Sequence, residues 1–225
     1  CGRGVQYQSM GYALLGEIVA RVTGIPCAQY LQESLFNPLG MDDSALGAPE
    51  EGFVDGPAGA RREPRLAAAL VPEEQQGGRD WNWNSRYWRM LGAPWGGVRS
   101  TADDLSTLLQ LMIGRGRRGD VRLFSPATVD AATSNQLDPL HDIPGADRRT
   151  RGWGFGWRLN WAGHPATFGD LLPATTYGHW GATGTLWWVD PVRQVGLVLL
   201  STMPLARDRF ELLRISNAVA AALRD

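Results

Sequence analysis

Lysine is absent from the sequence, so all 22 basic residues are arginines. GC-rich codon usage accounts for such a bias, but the absence also removes one catalytic side chain from the whole chain. The arginines are balanced by 23 acidic residues, and the formal net charge is −1. A nearly neutral chain gives no electrostatic reason to bind nucleic acid or an anionic membrane. We therefore expect neither as a partner.

Cysteine and long apolar runs are also scarce. The two cysteines, Cys1 and Cys27, form neither a disulfide framework nor a metal-binding motif. No apolar run is long enough to cross a membrane, and the N-terminus shows no signal-peptide pattern. We expect no cofactor, no metal and no transmembrane segment. The sequence leaves the compartment and the oligomeric state open.

The first 150 residues show mainly helical patterns. Residues 10–23 predict an amphipathic helix that ends at Gly24. A short helix is expected after Pro26, and residues 42–80 indicate a long irregular excursion. The apolar stripe of the first helix consists of Leu14, Leu15, Ile18, Val19 and Val22.

Two more helix starts follow. Thr101 with Asp104 three residues later predicts a capping box. Ser125 followed by Pro126 predicts a second N-cap. The buried stripe expected after the first of these caps is Leu105, Leu108, Leu109, Met112 and Ile113.

After residue 150 the pattern becomes one of short runs rich in aromatic and branched residues. Residues 185–190 and 195–202, joined by "PVRQ", predict an antiparallel hairpin. A last amphipathic helix is expected over 207–224, with Leu212, Ile215, Val219 and Leu223 on one face. This order predicts an α+β fold rather than a βαβ repeat.

The stretch "YQSMG" suggests a serine nucleophile elbow centred on Ser9. That motif requires a strand, a sharp turn and a helix, with small residues on both sides of the serine. Tyr7 occupies one of those small positions, and few residues precede Ser9 to form a strand. Helix capping by Ser9 is the simpler alternative.

Three segments together resemble the serine β-lactamase and penicillin-binding-protein-like hydrolases, which include class C β-lactamases and related esterases. "YQSMGYALLGEIV" is similar to the family's Y-x-N segment and following helix, and "GGVRSTADDL" to its S-T-x-x-D-L helix. "GHWGATGTLWWVDP" is similar to the strand that carries a H-x-G or K-T-G triplet. The resemblance implies a β-lactamase/transpeptidase-like fold over residues 1–225, with a helical subdomain over 1–150 and antiparallel strands plus a C-terminal helix over 151–225.

The family's nucleophile is the serine of an S-x-x-K motif upstream of the tyrosine. A chain without lysine cannot contain that motif. The resemblance therefore implies the C-terminal part of one such domain, without its N-terminal helix and first strands. We expect this chain alone to be inactive.

The resemblance also assigns roles. Tyr7 would transfer a proton together with an upstream lysine, because a phenol, with a pKa of about 10, acts as a base near neutrality only where cations favour its phenolate. His179 would assist if protonated. Gly181 would let substrate lie against the strand, and the backbone N–H of Ala182 would stabilise the oxyanion. The alternatives are a packing tyrosine and a structural histidine.

Ser9 stands where the family has asparagine. A serine hydroxyl has one donor, whereas an asparagine amide offers two donors and an acceptor. Histidine in place of the lysine of K-T-G is also a weaker anchor for a carboxylate. Both departures favour simple esters over β-lactams or other amides. The alternative function is a non-catalytic relative that binds a peptide, glycan or ester-like ligand.

Aromatic residues outside the three segments have two interpretations. "WNWNSRYW" at 81–88 predicts either a loop folded onto itself by its aromatics or a wall that recognises an acyl group or a sugar. Trp180, Trp187 and Trp188 are expected to pack the core. "GRGRRGD" at 114–120 predicts a solvated loop.

Overall fold

A computed structural model of the chain describes residues 2–49, 66–150, 152–160, 168–205 and 209–223. The α-helices in these ranges are α1 Met10–Thr23, α2 Cys27–Leu31, α3 Asn37–Leu39, α4 Arg86–Met90, α5 Ala102–Ile113, α6 Pro126–Thr133, α7 Gly145–Thr150 and α8 Arg209–Ala222, and a π-helical turn Gln32–Phe36 joins α2 to α3. The strands are β1 Ala45–Leu46, β2 Val98–Arg99, β3 Arg117–Arg118, β4 Val121–Arg122, β5 Arg158–Leu159, β6 Tyr177–Gly181, β7 Thr185–Asp190 and β8 Val195–Leu200. This content confirms the predicted α+β class.

The chain forms two compact units. The sheet unit comprises Cys1–Tyr7, Leu105–Leu200 and Leu205–Asp225, and the helical unit comprises Gln8–Asp104 and Ser201–Pro204. The division expected at residue 150 separates mainly helical from mainly strand-forming sequence. The two compact units are instead groups of residues that contact one another. The two divisions therefore describe different properties of the chain.

The main sheet of the sheet unit is antiparallel, with strand order β5-β6-β7-β8. Strands β7 and β8 form the predicted hairpin, and β8 ends two residues earlier than expected. The turn is held by the buried carboxylate of Asp190, which accepts hydrogen bonds from the backbone N–H groups of Val192 (2.9 Å) and Arg193 (3.2 Å). An aspartate at the end of β7 therefore satisfies the donors of the turn that follows.

Helix α8 packs on this sheet with part of the predicted face, because Leu212 is buried and Val219 packs against the core cluster. Leu212, Ser216 and Ala220, spaced four residues apart, are buried, whereas Ile215 is 44% exposed. The indole N–H of Trp188 donates to Ser216 Oγ at 2.8 Å, and both residues are fully buried. The prediction that Ile215 faces the core is wrong because the large Trp188 side chain selects the face with small residues and a hydroxyl acceptor.

Helix α5 begins and packs largely as predicted. Leu109 and Met112 are buried in a cluster with Val189 of β7. At the N-terminus only one half of the capping box forms, with the Asp104 N–H donating to Thr101 Oγ1 at 3.2 Å.

The Asp104 carboxylate makes other bonds within the helical unit. It accepts from the Asp43 backbone N–H (2.9 Å) and from Ser44 Oγ (2.8 Å). The Ser44 hydroxyl also lies 2.7 Å from Ser100 Oγ. Asp104, the second aspartate of "STADDL", therefore anchors the loop at residues 43–44 instead of closing the capping box.

Helix α1 has the predicted bounds and the predicted end. Gly24 adopts a φ of 77° and donates its backbone N–H to Ala20 O. The helix packs closely against the rest of the helical unit at Gly16, because an added Cβ there would clash with Pro94. Much of its apolar stripe is exposed, namely Leu14, Leu15, Ile18 and Val22. An apolar helix face that no described residue covers is uncommon in a folded protein.

Three further predicted segments, at 81–88, 114–120 and after Ser125, agree with the structure to different extents. Helix α6 starts as expected, with Ser125 Oγ accepting from the Thr128 N–H at 3.1 Å. Residues 114–120 are mostly exposed, and they include β3 of a short hairpin. The stretch 81–88 is not wholly a loop, because α4 begins within it at Arg86. Its aromatics contact each other, and Trp81 remains exposed.

Candidate active site

Tyr7 lies in the irregular segment that precedes helix α1, at the edge of the sheet unit. Its side chain is 56% exposed. Its hydroxyl forms no hydrogen bond with any residue that the structure describes. The phenol is therefore accessible to a ligand in this structure.

His179 lies in the middle of strand β6, directly opposite Trp187 of β7. Its Nδ1 is 2.9 Å from the backbone nitrogen of Trp180 and 2.6 Å from the carbonyl oxygen of the same residue. Nδ1 accepts from the N–H in one tautomer and donates to the carbonyl in the other. In either tautomer, Nε2 has no hydrogen-bond partner among the described residues and remains available to a ligand.

The electrostatics around His179 favour its neutral form. Removal of the imidazole from water lowers the pKa of His179, and the positive charge of Arg158 acts in the same direction. The hydrogen bond to the Trp180 carbonyl opposes these effects in part. The pKa of His179 thus lies below its usual value near 6.5, so the imidazole is uncharged at neutral pH. It does not supply the cation that would favour a tyrosinate.

The fold brings Tyr7 and His179 together, although residues 8–178 separate them in the sequence. Their ring centroids are 6.4 Å apart. Trp153 joins the same cluster, with its ring 6.1 Å from Tyr7 and 5.5 Å from His179. Trp180 completes it at 5.9 Å from Tyr7. Two indoles of the sheet unit therefore lie beside the two groups to which the family resemblance assigns proton transfer.

Gly181 and Ala182 lie at the end of β6 beside this cluster. A Cβ at Gly181 would collide with Thr185 Oγ1, so a larger residue at this position would displace the Thr185 side chain. Ala182 starts the turn to β7, and its carbonyl accepts from the Leu205 N–H at 3.0 Å. No described carbonyl accepts from the Ala182 N–H, which leaves this donor available for an oxyanion.

Ser9 belongs to the helical unit and occupies the N-cap position of α1. Its carbonyl accepts from Tyr12 and Ala13, but its side chain makes no capping bond. The suggestion that its hydroxyl caps the helix is therefore wrong. Described residues 2–8 contain no strand, so a nucleophile elbow at Ser9 lacks its first element.

A serine triad at Ser9 would also need a histidine, and the sequence contains His141 and His164 besides His179. His141 is exposed on the surface, and His164 lies outside the described residues. Sequence patterns do not single out Trp153, because its segment is recognisable only as one of the short runs rich in aromatic and branched residues after residue 150. Gly152 and Gly154, which flank Trp153, are the available signal, because glycine within a strand-like run marks the close approach of another backbone. The structure shows such an approach at Gly154, where an added Cβ would clash with the Ala132 carbonyl oxygen.

The described residues contain no group of three or more His, Cys, Asp or Glu side chains that could hold a metal ion. None of the helices in the described ranges is long and apolar enough to cross a membrane.

Comparison with known proteins identifies the family. The family model described as Beta-lactamase matches residues 1–221. A relative from Escherichia coli O157:H7, provisionally named as a D-alanyl-D-alanine carboxypeptidase, is 31% identical over 88% of this chain. The match covers 45% of that protein, so this chain spans about half the length of the curated relatives it matches.

Two solved structures share the fold. A β-lactamase from Mycobacterium bovis has a TM-score of 0.66 at 23% identity, and the match covers 98% of this chain and 65% of that one. A penicillin-binding protein homologue from Caulobacter crescentus has a TM-score of 0.65 at 24% identity, covering 93% and 56%. Because the family model matches nearly the whole chain, the chain belongs to the β-lactamase family of serine hydrolases.

Proposed function

We propose that the intact protein is a serine acyl hydrolase that cleaves esters, and less efficiently amides, through an acyl-enzyme. Tyr7 and His179 are its catalytic residues, with proton transfer at Tyr7 and an uncharged imidazole at His179. Gly181 and Ala182 contact the substrate, and Ser9 occupies the position of the family's asparagine. The observation that carries the proposal is the 6.4 Å separation of the Tyr7 and His179 rings. Both present an unengaged polar atom in the described part of the chain.

The reaction needs a nucleophile from outside these 225 residues. A serine hydroxyl attacks the substrate carbonyl carbon, and its proton passes to the phenolate oxygen of Tyr7 as the Oγ–C bond forms. The upstream lysine implied by the family resemblance would favour that phenolate. The oxyanion accepts a hydrogen bond from the Ala182 N–H. Collapse of the tetrahedral intermediate breaks the ester C–O bond, and the proton moves from Tyr7 to the departing alkoxide. Water then attacks the acyl carbon and gives a proton to the Tyr7 oxygen, the serine Oγ–C bond breaks, and the proton returns from Tyr7 to the serine oxygen as the acid leaves.

The chain alone is proposed to be inactive. The sequence contains no lysine and hence no Ser-x-x-Lys. Ala182 provides only one of the two backbone donors that an oxyanion hole of this type uses. The second donor and the nucleophile belong to the same absent residue in the family resemblance.

The preference for esters is supported by the charge of the site. His179 is neutral at neutral pH because its burial lowers its pKa. A neutral imidazole gives no ionic anchor for the carboxylate that β-lactams and C-terminal peptides carry. Ser9 is exposed, and its short hydroxyl replaces the planar amide that would bind a substrate amide. Both features disfavour amide substrates more than neutral esters.

The test uses the longest natural chain that contains these residues, assayed with p-nitrophenyl acetate and a chromogenic cephalosporin. We expect ester hydrolysis to exceed cephalosporin hydrolysis. Tyr7→Phe should lower kcat about 10²–10⁴-fold, as is typical of a general acid–base group. Tyr30→Phe, in helix α2, is the matched control and should retain activity.

Two results would overturn the proposal. Wild-type kcat in Tyr7→Phe would remove Tyr7 from the reaction. Hydrolysis by the 225-residue chain at enzyme-like rates would refute its proposed inactivity. An intact protein that binds ester-like ligands without any acyl-enzyme burst would instead establish the non-catalytic alternative.

A further inference from the structure

Tyr7 is oriented by neighbouring rings rather than by regular secondary structure. The segment from Arg3 to Gln8 contains neither helix nor strand. The Tyr7 ring lies nearly parallel to two indoles, at 28° to Trp153 and 27° to Trp180, with centroids 6.1 and 5.9 Å away. Offset stacking at these distances is a favourable aromatic geometry. The direction of the phenol hydroxyl therefore depends on the two tryptophans.

Trp153 is itself held in place on several sides. Its carbonyl accepts from the Gln136 N–H at 2.7 Å, and it forms an isolated bridge with Arg158. The guanidinium carbon of Arg158 lies 5.5 Å from the Trp153 ring centroid. Cation–π contact of this kind limits the freedom of the indole. Trp153 thus provides a defined surface for the Tyr7 ring.

Trp180 is held by the sheet. It lies on β6 opposite Leu186 of β7 and packs against the buried core cluster of the sheet unit. Its backbone also bonds the imidazole of His179. The same residue therefore orients the histidine and contacts the tyrosine.

Simple core packing does not explain this arrangement. The Tyr7 ring is 56% exposed, so the two indoles do not remove most of it from water. The orientation of the Tyr7 ring matters for catalysis, because the oxygen of a proton-transfer group must come within about 2.6–3.2 Å of the atom that gives or takes the proton. A misplacement of about 1 Å costs on the order of 10²-fold in rate.

We propose that Trp153 and Trp180 are positioning residues, which orient the Tyr7 ring and thereby aim its hydroxyl at the reacting carbonyl group. The inference rests on the proposed proton-transfer role of Tyr7. Trp153 is the better residue to test, because Trp180 also packs against the core of the sheet unit.

The experiment is a double-mutant cycle in the longest natural chain, with p-nitrophenyl acetate as substrate. Trp153→Leu should lower kcat about 10-fold to 10²-fold, with little change in KM, and Trp153→Phe should retain most of kcat because it keeps a planar ring. In a Tyr7→Phe background, Trp153→Leu should have no further effect, because the tryptophan acts through the tyrosine. Phe155→Leu, an exposed residue of the same segment, is the matched control.

The outcomes separate the two proposals. The positioning role is overturned if Trp153→Leu lowers kcat equally in the wild-type and Tyr7→Phe backgrounds, or lowers it in neither. The proposed role of Tyr7 in proton transfer would be unaffected by that result. Full activity of Tyr7→Phe overturns the proposed function itself. Should Trp153→Leu fail to fold by circular dichroism, Trp153→Met takes its place in the cycle, since it removes the ring but keeps a long apolar side chain.

Discussion

The indole nitrogen of Trp188 donates a hydrogen bond to Ser216 Oγ at 2.8 Å inside the core of the sheet unit. Both side chains are completely buried. The bond joins the centre of strand β7 to the middle of helix α8. It therefore determines which face of the helix packs on the sheet.

Ser216→Ala should destabilise the protein by about 1–3 kcal/mol, because the buried indole N–H loses its acceptor. The measurement is the free energy of unfolding from denaturant titration. Ile215→Ala is the neighbouring control and should change the free energy by no more than about 0.5 kcal/mol, as is usual on the surface. A larger effect at Ile215 than at Ser216 would contradict the observed packing of α8.

Gly178→Ala should destabilise the sheet. An added Cβ would press against the Trp187 carbonyl oxygen and lie 2.7 Å from Trp188 Cα, and both are backbone atoms. We expect a loss of about 3 kcal/mol, at the upper end of overpacking effects. Gly11→Ala is the matched control, because nothing lies within 4 Å of its added Cβ and α1 should gain about 0.5–1 kcal/mol. Thermal unfolding of both variants should shift in opposite directions, and equal shifts would contradict the prediction.

His179 should make stability depend on pH. Burial lowers the pKa of His179 in the folded protein, whereas the unfolded imidazole titrates near 6.5. Between those two values the unfolded chain binds more protons, so stability decreases as the pH falls below about 6.5. His179→Gln should remove this contribution, measured as the difference in unfolding free energy between pH 7.5 and 5.5. His141→Gln is the exposed control, and an unchanged slope in His179→Gln would refute the prediction.

The exposed face of α1 should promote self-association of the 225-residue chain. Its side chains at Leu14, Ile18 and Val22 are more than half exposed. Replacing Leu14 by Glu and Ile18 by Lys removes apolar surface and adds a favourable pair four residues apart. Light scattering over a range of concentrations should show weaker association with unchanged helicity.

A charge exchange is the control for that variant. Glu17 and Arg21 form an exposed ion pair at 2.7 Å on the same helix. Swapping these two residues changes no apolar surface, so association should stay at the wild-type level. Association that persists in the Leu14/Ile18 variant would show that this face is not responsible.

Features decided by neighbouring residues could be predicted from the sequence. The bounds of α1, the cap at Ser125 and the hairpin after Asp190 all follow from local backbone preferences and short hydrogen bonds. The family resemblance of three short segments could also be recognised in the sequence. These features can be predicted because they do not depend on what each helix or strand packs against.

Features decided by packing could not be predicted. Ile215 and Ser216 are adjacent, and only the shape of Trp188 determines which one faces the core. Thr101 and Asp104 match a capping box, yet the carboxylate bonds Ser44 because the loop brings a hydroxyl and an N–H to it. The apolar stripe of α1 likewise predicted a helix without predicting its exposure.

The sequence by itself determined that this chain has an α+β fold of the β-lactamase family, and that lysine and the Ser-x-x-Lys nucleophile are absent from it. It also singled out Tyr7 and His179 by resemblance. Only the tertiary structure placed the two rings 6.4 Å apart and added Trp153 to them. The reason is physical: composition and local spacing are properties of the chain, whereas ring contacts, burial and the lowered pKa of His179 arise when distant segments exclude water together.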